Sequence, residues 1–228
     1  MEIKNLSFGY GDNIIFKDFS CSFLDGKVNC VLGESGIGKT TLLNAIARGD
    51  DAVIKEGGEV SYVFQQPRLV PALTVYQNLE LVLRSVIKDK KERKEKIKNA
   101  LYTVELNDKA DAFPKELSGG QMQRASLARA FIYPSNILLC DEPFKGLDIA
   151  LKSRLVKIFL SLLESERKTV IFVTHDIEEA LLLGDRITVL KGKPATAALS
   201  VDITDSGGRD LSSEKINEAR KKILHYLL

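Results

Sequence analysis

No apolar run in this 228-residue chain reaches the roughly 18 residues that a membrane-spanning helix requires. The two best candidates, "ALLLGD" at 180–185 and "ITVLKG" at 187–192, are broken by charge. The opening "MEIKNLSF" lacks the basic and apolar regions of a secretory signal, so a soluble cytoplasmic chain is expected. Cysteine is scarce as well. Cys21, Cys30 and Cys140 are odd in number, have no metal-ligand spacing and lie in apolar or alternating stretches, which points to buried structural thiols rather than redox or metal chemistry. An excess of charge of one sign is also missing: 33 Lys and Arg face 31 Asp and Glu, a net charge of +2. That balance gives no support to binding of nucleic acid or of an anionic lipid surface, and no nucleic-acid partner is expected.

Present instead is an ordinary globular composition, 44% apolar and 28% charged, in a chain long enough for one large domain or two small ones. Residues 2 to 32 alternate in short runs ("EIKNLSF", "IIFKDFSCSF", "VNCVL") separated by "GYGDN" and "LDGK", a pattern of antiparallel strands and turns. A hairpin with "EGG" at its turn is expected within "DAVIKEGGEVSYVFQ". From Pro71 the period becomes helical in "TVYQNLELVLRSVI" and "KIKNALYTVEL". The intervening "KDKKERKEK" contains three acids, and Glu92 with Lys96 has the i, i+4 spacing of a solvated helix face; a surface role is favoured over a lipid or nucleic-acid patch. Further on, the apolar runs "NILLC", "TVIFVTH" and "RITVLKG" alternate with helical stretches, indicating parallel strands buried on both faces and an α/β core. The closing "SSEKINEARKKILHYLL" aligns Ile216, Ala219, Ile223 and Leu227 on one stripe. That is the pattern of a docked C-terminal helix, with a partner-binding helix as the alternative.

Chemistry concentrates in a few segments. "GESGIGKT", Gly33, Glu34, Ser35, Gly36, Ile37, Gly38, Lys39 and Thr40, matches the P-loop pattern at every fixed position, after a strand and before a helix that continues with Thr41. The glycines let backbone N–H groups converge on a β-phosphate, Lys39 neutralises β- and γ-phosphates, and the Thr40 hydroxyl is suited to Mg²⁺. A glycine turn capping a helix would need neither the lysine nor the hydroxyl. In "NILLCDEP", Asp141 ends a buried strand where a carboxylate can reach the same Mg²⁺, and Glu142 can orient or deprotonate an attacking water; as a plainer reading, the two acids would cap the next helix. "LSGGQMQR", residues 117–124, is a second anion-cradling segment at the head of a helix, one more than a single triphosphate needs.

P-loop, "VFQ", "LSGGQ", "LLCDEP", "GLD" and "VTHD" occur in the order and approximate spacing of ATP-binding cassette (ABC) ATPases, which the chain resembles over nearly its whole length. The resemblance implies an α/β P-loop NTPase of ABC type: a RecA-like parallel-sheet core, an N-terminal antiparallel β-subdomain and an inserted α-helical signature subdomain. It divides the single domain 1–228 into 1–65, 66–134 with the signature, 135–200 and a C-terminal helix at 201–228. It implies that Tyr10 in "SFGYGD" stacks on adenine, with a turn tyrosine as the alternative. Gln65 would touch Mg²⁺ and the catalytic water, and His175 in "VTHD" would contact the γ-phosphate, whereas His225 reads as structural. In this family two cassettes pair head to tail. Ser118, Gly119, Gly120 and Gln121 would then receive the γ-phosphate of the partner's ATP, and Asp148 in "GLD" would communicate across the interface.

A single cassette without a transmembrane segment implies an ATP-hydrolysing subunit, bound peripherally to the inner face of the membrane by separate permease subunits and served indirectly by a solute-binding receptor. "YVFQQPRLVPALTVYQNLEL", "VTHDIEEALLLGDRITVLKGKPA" and "DSGGRDLSSEKINEARKKIL" look most similar to nitrate/sulfonate/taurine-type importer ATPases. An exporter ATPase with separate membrane subunits and a non-transport ABC ATPase are the alternatives. Three departures stand out: a stretch between Lys39 and Gln65 shorter than the family's by about ten residues, Glu34 at the second P-loop position where proline is common, and Lys145 where a small residue is usual.

Overall fold

Alternating apolar and polar residues fold the start of the chain into an antiparallel ribbon of β1 (Glu2–Tyr10) and β2 (Asn13–Ser22), with Ile3, Leu6, Phe16 and Phe19 turned inward. In this computed structural model, residues 1–54, 59–203 and 211–227 are described. They form two compact units, one of Met1–Gly58, Leu139–Glu142 and Lys168–Leu228, the other of Glu59–Leu138 and Pro143–Arg167.

In the first unit β3 (Val28–Leu32) leads into α1 (Lys39–Arg48), and β4 (Val53–Ile54) pairs antiparallel with the start of β1, giving a small sheet in the order β2-β1-β4. β3 does not join that ribbon, which corrects the antiparallel expectation for residues 28–32. It pairs in parallel with β7 (Thr169–Thr174) on one side and β8 (Arg186–Lys191) on the other. The misleading residue is Asn29, which lends the run an alternating look. It is buried, its amide oxygen accepts from the Leu24 N–H at 2.7 Å, and its NH₂ donates to the carbonyls of Leu24, Lys27 and Val170. A polar side chain with each group partnered costs little inside, so the strand sits in the core.

The end of β6 (Ile137–Asp141), β7, β3, β8 and β9 (Thr196–Asp202) follow one another in the larger sheet. β9 was not anticipated; it runs antiparallel to β8, and its outer positions alternate only weakly in polarity, so no run announced it. Between them Arg186 grips Asp202 at 2.6 and 2.9 Å. α6 (Ile177–Leu183) is capped by Asp176, whose carboxylate accepts from the N–H groups of Glu178 and Glu179. α7 (Glu214–Leu227) packs on this unit through Ile216, Ala219 and Ile223, all buried, with Leu227 half-buried, as a docked helix would.

The second unit holds β5 (Val60–Val63), which lies beside β6, and four helices: α2 (Val75–Leu83), α3 (Lys90–Thr103), α4 (Gly119–Ile132) and α5 (Ile149–Ser165). β4 and β5 belong to different sheets, so the expected hairpin over 51–65 is not formed; its proposed turn at 56–58 lies outside the described residues. The charge run at 88–96 is mostly the first turns of α3, capped by Asp89. One member is not on the surface. Arg93 is buried and donates to the carbonyls of Ile87 and Lys88, clasping the chain that leads into its own helix. Leu79, Leu83, Ile97, Leu127 and Phe159 form the core of this unit, with Phe131 set edge-on to Phe159 at 5.4 Å.

The thiols divide. Cys30 and Cys140 are buried, as expected, but Cys21 is half-buried. Desolvation still pushes its thiol up to about 12, so the thiolate needed for redox or metal chemistry is disfavoured there. His225, read as structural, is an exposed residue of α7 set edge-on to Tyr226.

Candidate nucleotide site

The first unit gathers most of the expected residues, the loop at 33–40 with Asp141, Glu142 and His175, beyond the ends of its strands. The loop after β3 closes on itself: Lys39, buried at the start of α1, donates to the carbonyls of Gly33 at 2.7 Å and Glu34 at 2.9 Å. Gly38 precedes it at φ 114°, with a Cβ position only 2.5 Å from Ile15 Cγ2 and 3.0 Å from Phe16 Cζ. No other residue type fits there, because side-chain volume and backbone conformation both forbid it. β2 thus forms the floor of the loop, a role for Ile15 and Phe16 that no motif in the sequence signals. Glu34, Ser35 and Gly36 are exposed, Ile37 is buried, and Thr41 is half-buried.

At the second residue of α1, the Thr40 hydroxyl donates to the Asp141 carboxylate, 3.1 Å from Oδ1 and 3.0 Å from Oδ2. A hydroxyl and a carboxylate brought together at a helix N-terminus are hard oxygen donors, the set that Mg²⁺ takes when it is also bound by phosphate and water. The residues present therefore fit that ion.

Glu142 follows at φ 44°, a left-handed conformation that costs a non-glycine residue about 1–3 kcal/mol. Its N–H donates to the Val173 carbonyl at 3.0 Å, which anchors this turn to the end of β7. Its side chain is buried between two others. Oε2 lies 3.0 Å from His175 Nδ1, a hydrogen bond from the ring when Nδ1 carries the proton, and Oε1 is 3.7 Å from Lys39 Nζ. The His175 ring is half exposed and reaches this carboxylate from the far end of β7. Thr174 prepares that reach: its hydroxyl donates to Glu179 Oε2 at 2.6 Å and accepts from the Asp176 N–H at 3.0 Å, which orders the strand end. Thr174 and Glu179 were missed from sequence, although their place on either side of the histidine could have drawn attention to them.

Tyr10 ends β1 with its ring exposed, set edge-on to Phe8 at 5.1 Å. It is both a residue next to a hairpin turn, paired with Asn13, and an accessible aromatic face.

The second unit carries the remaining candidates. Gln65 is exposed just beyond β5. Ser118 caps α4 in a reciprocal box: its hydroxyl accepts from the Gln121 N–H, and its own N–H donates to Gln121 Oε1 at 2.8 Å. Ser118 and Gly119 are exposed, while Gly120 is buried against Leu151, whose Cδ1 lies 2.7 Å from its Cβ position. First-turn amides of a helix have no acceptor within it, so those of Gly119 and Gly120 point out of the N-terminus. Asp148 caps α5, its carboxylate accepting from the Leu151 N–H at 2.9 Å, and Lys145 is exposed upstream.

A phosphate loop, a hydroxyl–carboxylate pair, a held glutamate and a separate glycine-headed helix are the parts of one known family, and its profile, described as ABC transporter, matches residues 16–145. The chain belongs to the ABC transporter family. Among its relatives are aliphatic sulfonates import ATP-binding proteins: SsuB of Delftia acidovorans, 43% identical over 84% of this chain and 79% of that protein, and SsuB 1 of Paracoccus denitrificans, 41% identical over 83% and 78%. SsuB 2 of Mesorhizobium japonicum is 35% identical over 100% of this chain and 91% of that protein. The fold is similar to the cassette MJ0796 in a dimeric post-hydrolysis state bound to ADP and Pi, at TM-score 0.74 and 30% identity over 90% of this chain and 99% of that one. It is also similar to CbiO1 of Clostridium perfringens, at TM-score 0.78 and 23% identity over 98% and 91%, a likeness of fold alone. This ABC cassette is thus α/β with a largely parallel sheet and an antiparallel β-subdomain. None of its described helices is long and apolar enough to cross a membrane.

Proposed function

We propose that this cassette is the ATP-hydrolysing subunit of an importer for a small anion of the sulfonate type. The observation that carries the ATPase reading is the grip on Glu142, a buried carboxylate in a strained turn, held by His175 on one oxygen and facing Lys39 on the other. The importer reading rests on relatives named as sulfonate import subunits over four-fifths or more of this chain.

Glu142 accepts the proton of an attacking water, and His175 orients the carboxylate through Oε2. Lys39, released from the loop carbonyls, neutralises the triphosphate cradled by the amides of residues 33–40. Thr40 and Asp141 would hold Mg²⁺, which supplies charge neutralisation at the phosphates; Gln65 is assigned to the same ion and to the water. Tyr10 offers its face to adenine. Ser118, Gly119, Gly120 and Gln121, with Asp148, serve the ATP of a second copy, so the working form is an ATP-dependent homodimer. It sits against integral membrane permease subunits on the inner face of the membrane, and a solute-binding receptor acts through them.

Co-expression with the permease subunits of a sulfonate importer from the same genome tests this directly. Purification should bring the permeases along with the cassette, and ATP hydrolysis by the assembly should rise with a sulfonate-loaded receptor. An assembly that is stimulated by no anion, or a cassette that isolates without membrane subunits, would favour the exporter or non-transport alternatives.

A further inference from the structure

The residue after α3 and its C-cap is a glutamate where the backbone calls for glycine. Val104, Glu105 and Leu106 close the helix by donating to the carbonyls of Ala100, Tyr102 and Leu101, with Glu105 at φ 55°. This left-handed closing position is usually glycine, occasionally asparagine, because a Cβ is strained there. Glu105 is half exposed at its side chain, so burial does not explain its presence.

Its carboxylate does. Oε2 receives Arg124 of α4 at 3.2 Å and also both Nε, at 2.9 Å, and Nη2 of Arg154 of α5. Arg124 is buried, and its Nη1 donates in addition to the carbonyls of Val104 and Glu105 at 3.0 Å, filling the acceptors left at the end of α3. Burial lowers the pKa of this guanidinium, the nearby positive charge of Arg154 lowers it further, and Glu105 opposes both. Two cations on neighbouring helices thus share one anion, and without it they would repel. α4 and α5 meet again near their N-termini, where Gly120 abuts Leu151, and Gln123 Nε2 of α4 donates at 2.6 Å to the carbonyl of Pro143 in the segment that leads to α5. These are the two helices whose caps, Ser118 and Asp148, face the partner copy in the proposed dimer.

We propose that Glu105 is a positioning residue, an electrostatic latch that locks the signature helix α4 to α5 so that Ser118, Gly119, Gly120 and Asp148 meet the second copy as one preset surface. The latch rests on the trans role assigned above to these segments. It also accounts for tolerating a strained glutamate: the backbone penalty at residue 105 is offset by fixing two helices that must act together.

Glycine at this position separates the two functions, since Glu105→Gly relieves the backbone while removing the latch. The experiment is done in a Glu142→Gln background, where ATP-bound dimers are expected to accumulate, and reads dimer formation against ATP by analytical ultracentrifugation. Monomer affinity for a fluorescent ATP analogue and melting temperature are read alongside. For Glu105→Gly, the ATP concentration giving half-maximal dimer should rise about tenfold, the loss expected for a charge-assisted contact. Monomer affinity should not move, and the melting temperature should stay within about 2 °C of the parent or exceed it. Glu105→Gln, which keeps the strain, should show the same dimer defect. Arg154→Met should reproduce it without adding to Glu105→Gly in the double variant. An unshifted dimer midpoint in Glu105→Gly overturns the latch, as does a midpoint shift that merely tracks a falling melting temperature in both Glu105 variants. Ser118→Arg is the control for the underlying reading. If it dimerises like the parent, the trans role itself fails and the latch with it; if it blocks dimers while Glu105→Gly does not shift them, the latch alone fails.

Discussion

In the proposed reaction Glu142 concentrates the chemistry of the site in one side chain, and its neighbours show what that role would require. A carboxylate that takes a proton from water needs a fixed direction, and here the direction comes from a strained backbone turn tied to Val173 and from the His175 ring on Oε2. Glutamine keeps the shape and removes the base. Glu142→Gln should therefore bind ATP with near-normal affinity while turnover falls about 10²–10⁴-fold, the usual contribution of a positioned base, and an ATP-bound dimer should accumulate on size exclusion. Turnover at the wild-type rate would remove Glu142 from that role. The motif "CDEP" is enough to nominate this residue. The strain and the grip by His175 are not readable there, because they depend on where β7 places its end relative to β6.

At the scale of elements, the P-loop is a compromise between a helix start and the strand beneath it. Gly38 has no room for a side chain: a Cβ would meet Ile15 and Phe16 of β2, and φ of 114° is foreign to other residues. Gly38→Ala should lose about 2 kcal/mol or more of stability and most nucleotide binding, measurable by chemical denaturation and by titration with labelled ATP. The β8–β9 pair has its own clasp in Arg186 and Asp202. The hydrogen bond and charge of Arg186 hold the Asp202 carboxyl below its ordinary 3.8. A depressed carboxyl stabilises the fold above its unfolded value and loses that contribution as pH falls through the folded one. Asp202→Asn should accordingly cost about 0.5 kcal/mol at neutral pH, as expected for an exposed pair. The difference from wild type should shrink toward zero below pH 3.8 in a series of melting curves.

For the whole molecule, the proposed function divides the labour between the two glycine-rich segments. Residues 33–40 lie in the unit with Asp141, Glu142 and His175, whereas Ser118 to Gln121 lie in the unit with Asp148. A chain that carries a nucleotide cradle and a separate anion-facing helix cap is suited to pairing with a copy of itself, as the dimeric cassette MJ0796 does. Ser118→Arg should leave ATP binding by the monomer intact and abolish the ATP-dependent dimer, as followed by light scattering with and without ATP. A normal dimer from this variant would place the second γ-phosphate contact elsewhere.

The residue string by itself determined the family and the α/β class and nominated the phosphate loop and its acids, because these depend on local spacing and on which side chains can do the chemistry. It misread the elements whose environment is set from afar. Asn29 looked solvent-facing until Leu24, Lys27 and Val170 supplied its partners; β4 and β5 looked like a hairpin although they join different sheets; β9 had no pattern of its own and exists because β8 offers it an edge. Only the tertiary structure decided that Glu105 sits where two arginines from different helices converge, and that Gly38 rests on β2. The physical reason is the same in each case: hydrogen bonds, ion pairs and steric contacts between distant segments satisfy or forbid what local sequence leaves open.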